Sequence, residues 1–172
     1  MPSHVKIGKT ACHETAAMSP EVRDFLESAG IRYRTHSHAP LVSFEEAKAV
    51  LPFNSNVMVK GLVFCTPSQA FAIVALRGAD RADYKKIADA LGVRRIDLRT
   101  ADPADVAAEL GMQLGGIVPL RIGGALVLVD QAVAELGTIY CGSGRNDVTL
   151  EISAQDLVRS AAGRVGSYAK VA

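Results

Sequence analysis

Hydrophobic and polar positions along the chain form short blocks that predict interleaved helices and strands. Stretches with helical periodicity begin at capping residues and end at glycine or proline. Short apolar runs between turn residues predict strands, and several are joined by links too short for a helical crossover. The predicted helices are residues 19–29, 43–51, 83–91, 102–110 and 153–161, and the predicted strands are residues 31–36, 57–65, 70–76, 94–98, 125–129, 137–141 and 148–152. This arrangement favours an α+β fold or a mixed sheet over a doubly wound Rossmann fold.

Length and composition fit one globular domain. The chain has 172 residues with 49% hydrophobic and 22% charged residues. Residues 1–18 lack a sustained period and are expected to form a loose extension, so residues 19–172 are expected to form the single domain. No secretory leader or membrane-spanning run is visible. Three cysteines without a C-x-x-C spacing argue against disulfides and structural zinc, and favour a reducing, cytoplasmic setting.

Net charge excludes a general electrostatic attraction to nucleic acid or membranes. Lys and Arg total 19 against 18 Asp and Glu, which leaves a formal charge of +1. A protein that handles RNA with this balance must bind it through a local cluster of basic residues.

Lys60 is the most informative single position. It is the only charged residue between Lys48 and Arg77, and it lies inside the apolar run of residues 57–65. An ammonium in a buried strand is desolvated unless an anion, a carbonyl or a water meets it, and such a group is a candidate for site chemistry. The alternative is a lysine that extends from a strand end into water. The apolar run continues on both sides of Lys60, so a functional role is favoured.

Two glycine-rich segments are candidate binding loops. Gly115–Pro119 has the form G-x-x-x-P, and with Gly116 it can present backbone N–H groups that hold a carbonyl oxygen or an oxyanion. The second segment, residues 141–145, carries the hydroxyl of Ser143 and the cation of Arg145, which would suit a phosphate or a ribose. Either segment is equally compatible with an ordinary tight turn. Neither matches a P-loop or a dinucleotide fingerprint, so ATP and NAD are not indicated.

Other reactive residue types form no recognisable set. His36 and His38 are compatible with metal binding, but no third ligand completes a site, and His38 is expected at the rim of the site. Ser143 lacks the G-x-S-x-G context of a hydrolase nucleophile. Neither a metal nor another cofactor is expected.

These segments in combination resemble the YbaK family, which includes the insertion domain of bacterial prolyl-tRNA synthetases and its free-standing relatives. The matching segments are Val59-Lys60-Gly61-Leu62-Val63, Ala75-Leu76-Arg77-Gly78, Lys85-Lys86-Ile87-Ala88, Leu91-Gly92, Gly115-Gly116-Ile117-Val118-Pro119-Leu120, Thr138-Ile139-Tyr140 and Gly142-Ser143-Gly144-Arg145. Their order and spacing agree with the family from about Ser19 to Ser160.

The resemblance implies a mixed, mostly antiparallel sheet curled into a barrel-like core with flanking helices. It also implies metal-independent hydrolysis of the ester in a mischarged aminoacyl-tRNA, with a small amino acid on tRNA-Pro or a similar tRNA. The catalytic residues it implies are Lys60 as a charged anchor and the backbone of Gly115 and Gly116. The expected substrate-binding residues are His38, Phe44, Met58, Pro119, Gly142, Ser143 and Gly144.

The implied partners are the acceptor end of an aminoacyl-tRNA and a synthetase whose errors the protein corrects in trans, without DNA or a membrane. The chain length leaves no room for a synthetase catalytic domain. A non-catalytic module of the same fold, which recognises aminoacyl-tRNA or a protein partner, is the alternative, and the near-neutral charge favours it. A small-molecule esterase is a third possibility.

Overall fold

A computed structural model describes residues 18–171. Of the predicted extension at residues 1–18, residues 1–17 lie outside the described residues. Met18, the last residue of the predicted extension, is 2% exposed and belongs to the hydrophobic core.

Eight described strands form two sheets. They are β1 (Arg34–Ser37), β2 (Val59–Cys65), β3 (Ala72–Arg77), β4 (Arg99–Thr100), β5 (Leu126–Asp130), β6 (Thr138–Gly142), β7 (Val148–Ser153) and β8 (Val165–Gly166). The smaller sheet has the order β1-β7-β6 and is antiparallel, and the larger has the order β4-β2-β3-β5-β8. The larger sheet is antiparallel at β4-β2-β3 and parallel at β3-β5-β8. The predicted mixed α+β fold is confirmed. The predicted barrel-like closure is not confirmed, because no ladder between the described strands joins the two sheets into a barrel.

Six described α-helices surround the sheets. They are α1 (Pro20–Ser28), α2 (Phe44–Val50), α3 (Tyr84–Leu91), α4 (Pro103–Leu110), α5 (Gln131–Ala134) and α6 (Ala154–Ser160). The predicted N-caps Ser43 and Ser153 accept backbone N–H bonds from Glu46 and Asp156. Asp83, the predicted first residue of its helix, also acts as a cap and accepts the N–H groups of Lys85 and Lys86. Left-handed Gly92 and Gly111 end α3 and α4 as expected.

Ser19 begins α1 without the predicted capping bond. Its hydroxyl donates to the Glu21 carboxylate at 2.7 Å and to the Gly111 carbonyl at 3.2 Å. The Ser19 hydroxyl thus links the start of α1 to the end of α4.

The predicted strand at residues 94–98 is wrong. Residues Arg95–Asp97 form a 3-10 turn, and only Arg99–Thr100 pair with β2. Arg94 explains the turn, because its guanidinium pairs with the Asp97 carboxylate three residues ahead at 2.8 Å. The short elements α5 and β8 were not predicted from the sequence.

The seam between the two sheets positions the candidate site. β2 and β6 approach each other there, and Met58 forms a parallel bridge with Tyr140. Beyond that bridge the strands diverge, and the loop at residues 114–120 enters the space between them. A core of buried apolar side chains from both sheets lies beneath the seam.

Candidate functional site

The edge of β2 that faces the seam is open in its middle, between the Met58–Tyr140 bridge and the pairing of Phe64 and Cys65 with β4. The Met58 carbonyl accepts the Gly78 N–H on the β3 side, and the Val63 carbonyl accepts the Ala101 N–H on the opposite side. Backbone groups of successive residues alternate between the two edges of an antiparallel strand. The N–H and C=O of Gly61 therefore point to the seam, where β4 does not extend.

The loop at residues 114–120 fits the seam because its contact points are glycines. Gly115 has φ +84°, and a Cβ there would overlap the carbonyl oxygen of Leu41. A Cβ on Gly116 would overlap the Arg145 backbone, and one on Gly142 would overlap the carbonyl oxygen of Ile117. The loop is thus held between three backbone segments that leave no room for side chains.

A cavity of about 240 Å³ lies at this seam. Lys60 and Gly61 line it from β2, and Met58 lines it from the residue before that strand. Gly115 and Ile117 line it from the loop, and Gly142, Thr149, His38 and Phe44 from the surrounding elements. The structure therefore brings together six of the ten site residues expected from the sequence: Lys60, Gly115, Gly142, His38, Phe44 and Met58.

Lys60 is half-buried and held by backbone carbonyls. Its Nζ donates to the Gly78 carbonyl oxygen at 3.0 Å and to the Asp80 carbonyl oxygen. The Phe44 ring covers Gly78 so closely that a Cβ on that glycine would overlap it. Burial lowers the pKa of Lys60; the Asp80 carboxylate opposes this shift and Arg81 adds to it.

His38 is fixed at the cavity wall through both ring nitrogens. Nδ1 lies 2.8 Å from the Ala39 carbonyl oxygen, and Nε2 lies 2.8 Å from the Thr149 hydroxyl. A carbonyl only accepts, so Nδ1 carries the proton of the first bond, whereas in the contact between Nε2 and Thr149 either partner can donate. Because both ring nitrogens are engaged, His38 forms a fixed polar part of the cavity wall.

Gly116 does not supply the predicted free donor. Its N–H donates to the Gln113 carbonyl oxygen at 2.9 Å, its own carbonyl accepts the Gly144 N–H at 2.7 Å, and the residue does not line the cavity. Within residues 18–171, the N–H groups of Gly115 and Ile117 have no acceptor. The Leu114 N–H likewise has no acceptor there, and all three residues line the cavity, so these N–H groups are candidate donors to a ligand.

Ser143 does not present a hydroxyl to the cavity, contrary to the interpretation of its loop as a phosphate or ribose site. The residue is fully buried, and its hydroxyl lies 2.7 Å from the Val148 carbonyl, to which it donates. The neighbouring Arg145 pairs with the Asp147 carboxylate at 2.9 Å. Gly144 and buried Pro119 also lie away from the cavity, so both support the loops instead of contacting a ligand there.

The sequence reasoning missed Gly61, Ile117 and Thr149 as cavity residues. Thr149 alternates with apolar neighbours in β7 like an ordinary strand residue, and Gly61 was treated only as part of the apolar run around Lys60. A signal was available at Gly61, because glycine inside a strand often marks a close backbone approach.

Cys141 lines the cavity but is not suited to nucleophilic chemistry. Its thiol is 4% exposed, and burial raises its pKa to about 12. The reactive thiolate is therefore scarce at neutral pH.

Residues 18–171 contain neither a metal-binding cluster nor a membrane-spanning helix. Within that range no three His, Cys, Asp or Glu side chains cluster closely enough to hold a metal ion. None of the helices in the same range has the length and apolar character needed to cross a membrane.

Comparison with known proteins gives a family and a fold. The family model for the aminoacyl-tRNA editing domain matches residues 38–160, well over half of the chain. The crystal structure of a hypothetical protein superposes with a TM-score of 0.76 at 22% identity, covering 87% of this chain and 99% of the other. A candidate trans-editing enzyme for prolyl-tRNA synthetase superposes with a TM-score of 0.74 at 19% identity, covering 90% and 99%. These structures show that the fold is shared.

Proposed function

Because the chain belongs to the aminoacyl-tRNA editing-domain family, we propose that it is a trans-acting deacylase that hydrolyses the ester bond of mischarged aminoacyl-tRNA. The observation that carries the proposal is the position of Lys60, whose half-buried ammonium lines the same cavity as the Gly115–Pro119 loop. The similar fold of a candidate trans-editing enzyme for prolyl-tRNA synthetase makes tRNA-Pro the first substrate to test.

Lys60 acts as a charged anchor in this proposal. An ammonium has three N–H donors, and two are used by the carbonyls of Gly78 and Asp80. The third is left for the substrate, where it would bind a phosphate of the terminal adenosine or the aminoacyl carbonyl. Because the ammonium is already held in place, binding costs little further side-chain entropy.

Backbone N–H groups at the seam would stabilise the developing oxyanion. The open groups are those of Gly115 and Ile117 in the loop, together with the seam-facing N–H of Gly61. Fixed donors of this kind stabilise a tetrahedral intermediate without reorganisation. Water attacks the ester carbon in this scheme, assisted by a hydroxyl of the terminal ribose, as the YbaK resemblance implies.

The cavity volume favours a small aminoacyl group. About 240 Å³ is below the usual range of roughly 300–1,000 Å³ for pockets that enclose a drug-sized ligand. His38, Phe44 and Met58 contribute to its walls, and steric exclusion by such walls discriminates by about 10- to 200-fold per methylene.

The test is a deacylation assay on tRNA-Pro and other tRNAs charged with alanine, serine, cysteine or their cognate amino acids. We expect hydrolysis of at least one mischarged tRNA, with no effect of EDTA, and a loss of about 100-fold or more in Lys60→Ala. Lys85→Ala is the matched control, since Lys85 is 80% exposed on α3 and pairs only with Asp89. Equal activity of the native protein and Lys60→Ala would refute the role of Lys60.

The near-neutral charge favours a second candidate, a binding module of the same fold. Binding of aminoacyl-tRNA without turnover would select that function. Turnover of simple aminoacyl esters without dependence on the tRNA would select a small-molecule esterase.

A further inference from the structure

A second cavity of about 150 Å³ lies next to the first along β2. It is bounded by β2, by the segment at residues 100–106 and by the loop before Gly115. No charged side chain lines it. Its lining residues outside the shared wall are Val63, Phe64, Tyr84, Thr100, Ala101, Pro103, Val106 and Met112.

Ile117 separates the two cavities. Both are lined by Gly61, Leu62, Leu114 and Ile117. The Ile117 side chain lies directly on Gly61, with its Cγ2 2.7 Å from where a Cβ on that glycine would stand. Leu114 is 60% exposed and so belongs to the outer mouth of the shared wall. Leu62 and Ile117 are the shared side chains inside the wall, and Ile117 is the one that lies across Gly61 at the open edge of β2.

We propose that Ile117 is a specificity-determining residue that sets the largest aminoacyl side chain the site accepts. In this proposal the second cavity is an apolar extension of the site, and Ile117 blocks the passage to it from the first cavity. This inference rests on the proposed deacylase function. A β-branched side chain is stiff at χ1, and this one is seated on a strand glycine, so it forms a firm wall. An unbranched apolar side chain is the chemistry that the second cavity would take if the wall were shortened.

The experiment compares the native protein with Ile117→Val, Ile117→Ala and the double variant Ile117→Ala/Ala101→Leu. Ala101 lines only the second cavity, so leucine at that position fills the extension and leaves the first cavity unaltered. The substrates are one tRNA that the native protein deacylates, charged with alanine, 2-aminobutyrate, norvaline or leucine. Thermal unfolding of each variant shows whether it is folded.

Shortening the partition should change selectivity and not merely activity. We expect Ile117→Ala to raise the norvalyl-to-alanyl ratio of kcat/KM by about 10-fold or more, the size of effect that one methylene has in an apolar pocket. Ile117→Val should change the ratio little, and the double variant should return it towards the native value. A uniform loss over all four substrates, or a gain that persists in the double variant, would overturn the proposal.

A binding measurement separates this inference from the proposed function. Adenosine carrying the same four aminoacyl groups in a 3′-amide linkage is not hydrolysed, and its affinity reports pocket size without catalysis. If the native protein binds the alanyl amide but hydrolyses no tRNA, the deacylase proposal fails and the affinity ratio still tests the partition. An unchanged norvalyl-to-alanyl affinity ratio in Ile117→Ala overturns the partition alone, and no binding of any amide together with no turnover of any mischarged tRNA overturns both.

Discussion

Replacement of Lys60 by methionine separates the structural contribution of its ammonium from its proposed role in catalysis. Methionine keeps an unbranched side chain of similar length and removes the charge and all three donors. The carbonyls of Gly78 and Asp80 then lose the bonds they accept in the native protein.

The expected loss of stability is modest. Hydrogen bonds from charged donors contribute about 1.5–3 kcal/mol each. The cost of burying the ammonium opposes this gain, and the lowered pKa of Lys60 has burial as its largest cause. We therefore expect Lys60→Met to lower the free energy of unfolding by about 1–3 kcal/mol, measured by urea denaturation.

The expected loss of activity is larger and has a different origin. Removal of one preorganised electrostatic donor typically costs about 100- to 1,000-fold in kcat. The assay is deacylation of mischarged tRNA at a temperature where the variant is fully folded. A variant that is destabilised but keeps kcat/KM within about threefold of the native value would show that Lys60 only ties β2 to residues 78–80, and the anchor role would be refuted.

The pKa of Lys60 gives the same prediction a pH signature. Because burial lowers the pKa of Lys60 in the folded state below its ordinary value, the unfolded state holds the proton more tightly between the two pKa values. Stability should accordingly rise with pH in that window, and ligand binding that needs the ammonium should weaken there. The Lys60 signal of ¹³C-methylated protein should titrate at a lower pH in the folded protein than in the urea-unfolded protein, and coincident titration of the two states would contradict this reasoning.

Three further predictions follow from individual contacts. Gly116→Ala should lower the melting temperature, because its Cβ would overlap the Arg145 backbone, whereas Gly137→Ala, with open space around it, should change it little. Asp130→Asn should cost about 2–4 kcal/mol in urea denaturation, because the buried carboxylate accepts three backbone N–H bonds and an amide cannot accept them all; an unchanged midpoint would contradict this. In the folded protein Cys141, with a pKa raised by burial to about 12, should resist iodoacetamide at pH 8 and react once the chain is unfolded, as read by peptide mass spectrometry.

Local signals predicted most of the fold because they act over a few residues. Ser43, Asp83 and Ser153 each accept an N–H within three positions, and a helix begins at each of them. The hairpin of β2 and β3 likewise needs only two apolar runs and a four-residue turn. The segment at residues 94–98 was predicted wrongly because an Arg94–Asp97 ion pair favours a turn where composition alone favours a strand.

A candidate site residue was predictable from the sequence where its chemical character differs from that of the residues on either side. Lys60 is a charge in an apolar strand, and this conflict is visible without the fold. The direction of a backbone N–H cannot be read from the sequence in that way. The N–H of Gly116 was predicted to be free for a ligand, but it donates to the Gln113 carbonyl oxygen. The prediction that the Ser143 hydroxyl contacts a ligand failed for the same reason, since this hydroxyl donates to the carbonyl oxygen of Val148, five residues later in the chain.

The contacts of Lys60 also bear on the chemical form in which it acts. A backbone carbonyl accepts hydrogen bonds and cannot donate one, so the carbonyls of Gly78 and Asp80 fit a protonated amine with two N–H groups directed at them. A general base would need its lone pair aimed at the attacking water, and deprotonation to provide that lone pair would remove charge from both existing bonds. Burial lowers the pKa, but the surrounding acceptors favour the ammonium form. The geometry therefore supports an anchor that positions the ester, and it leaves activation of water to a group that the substrate brings with it.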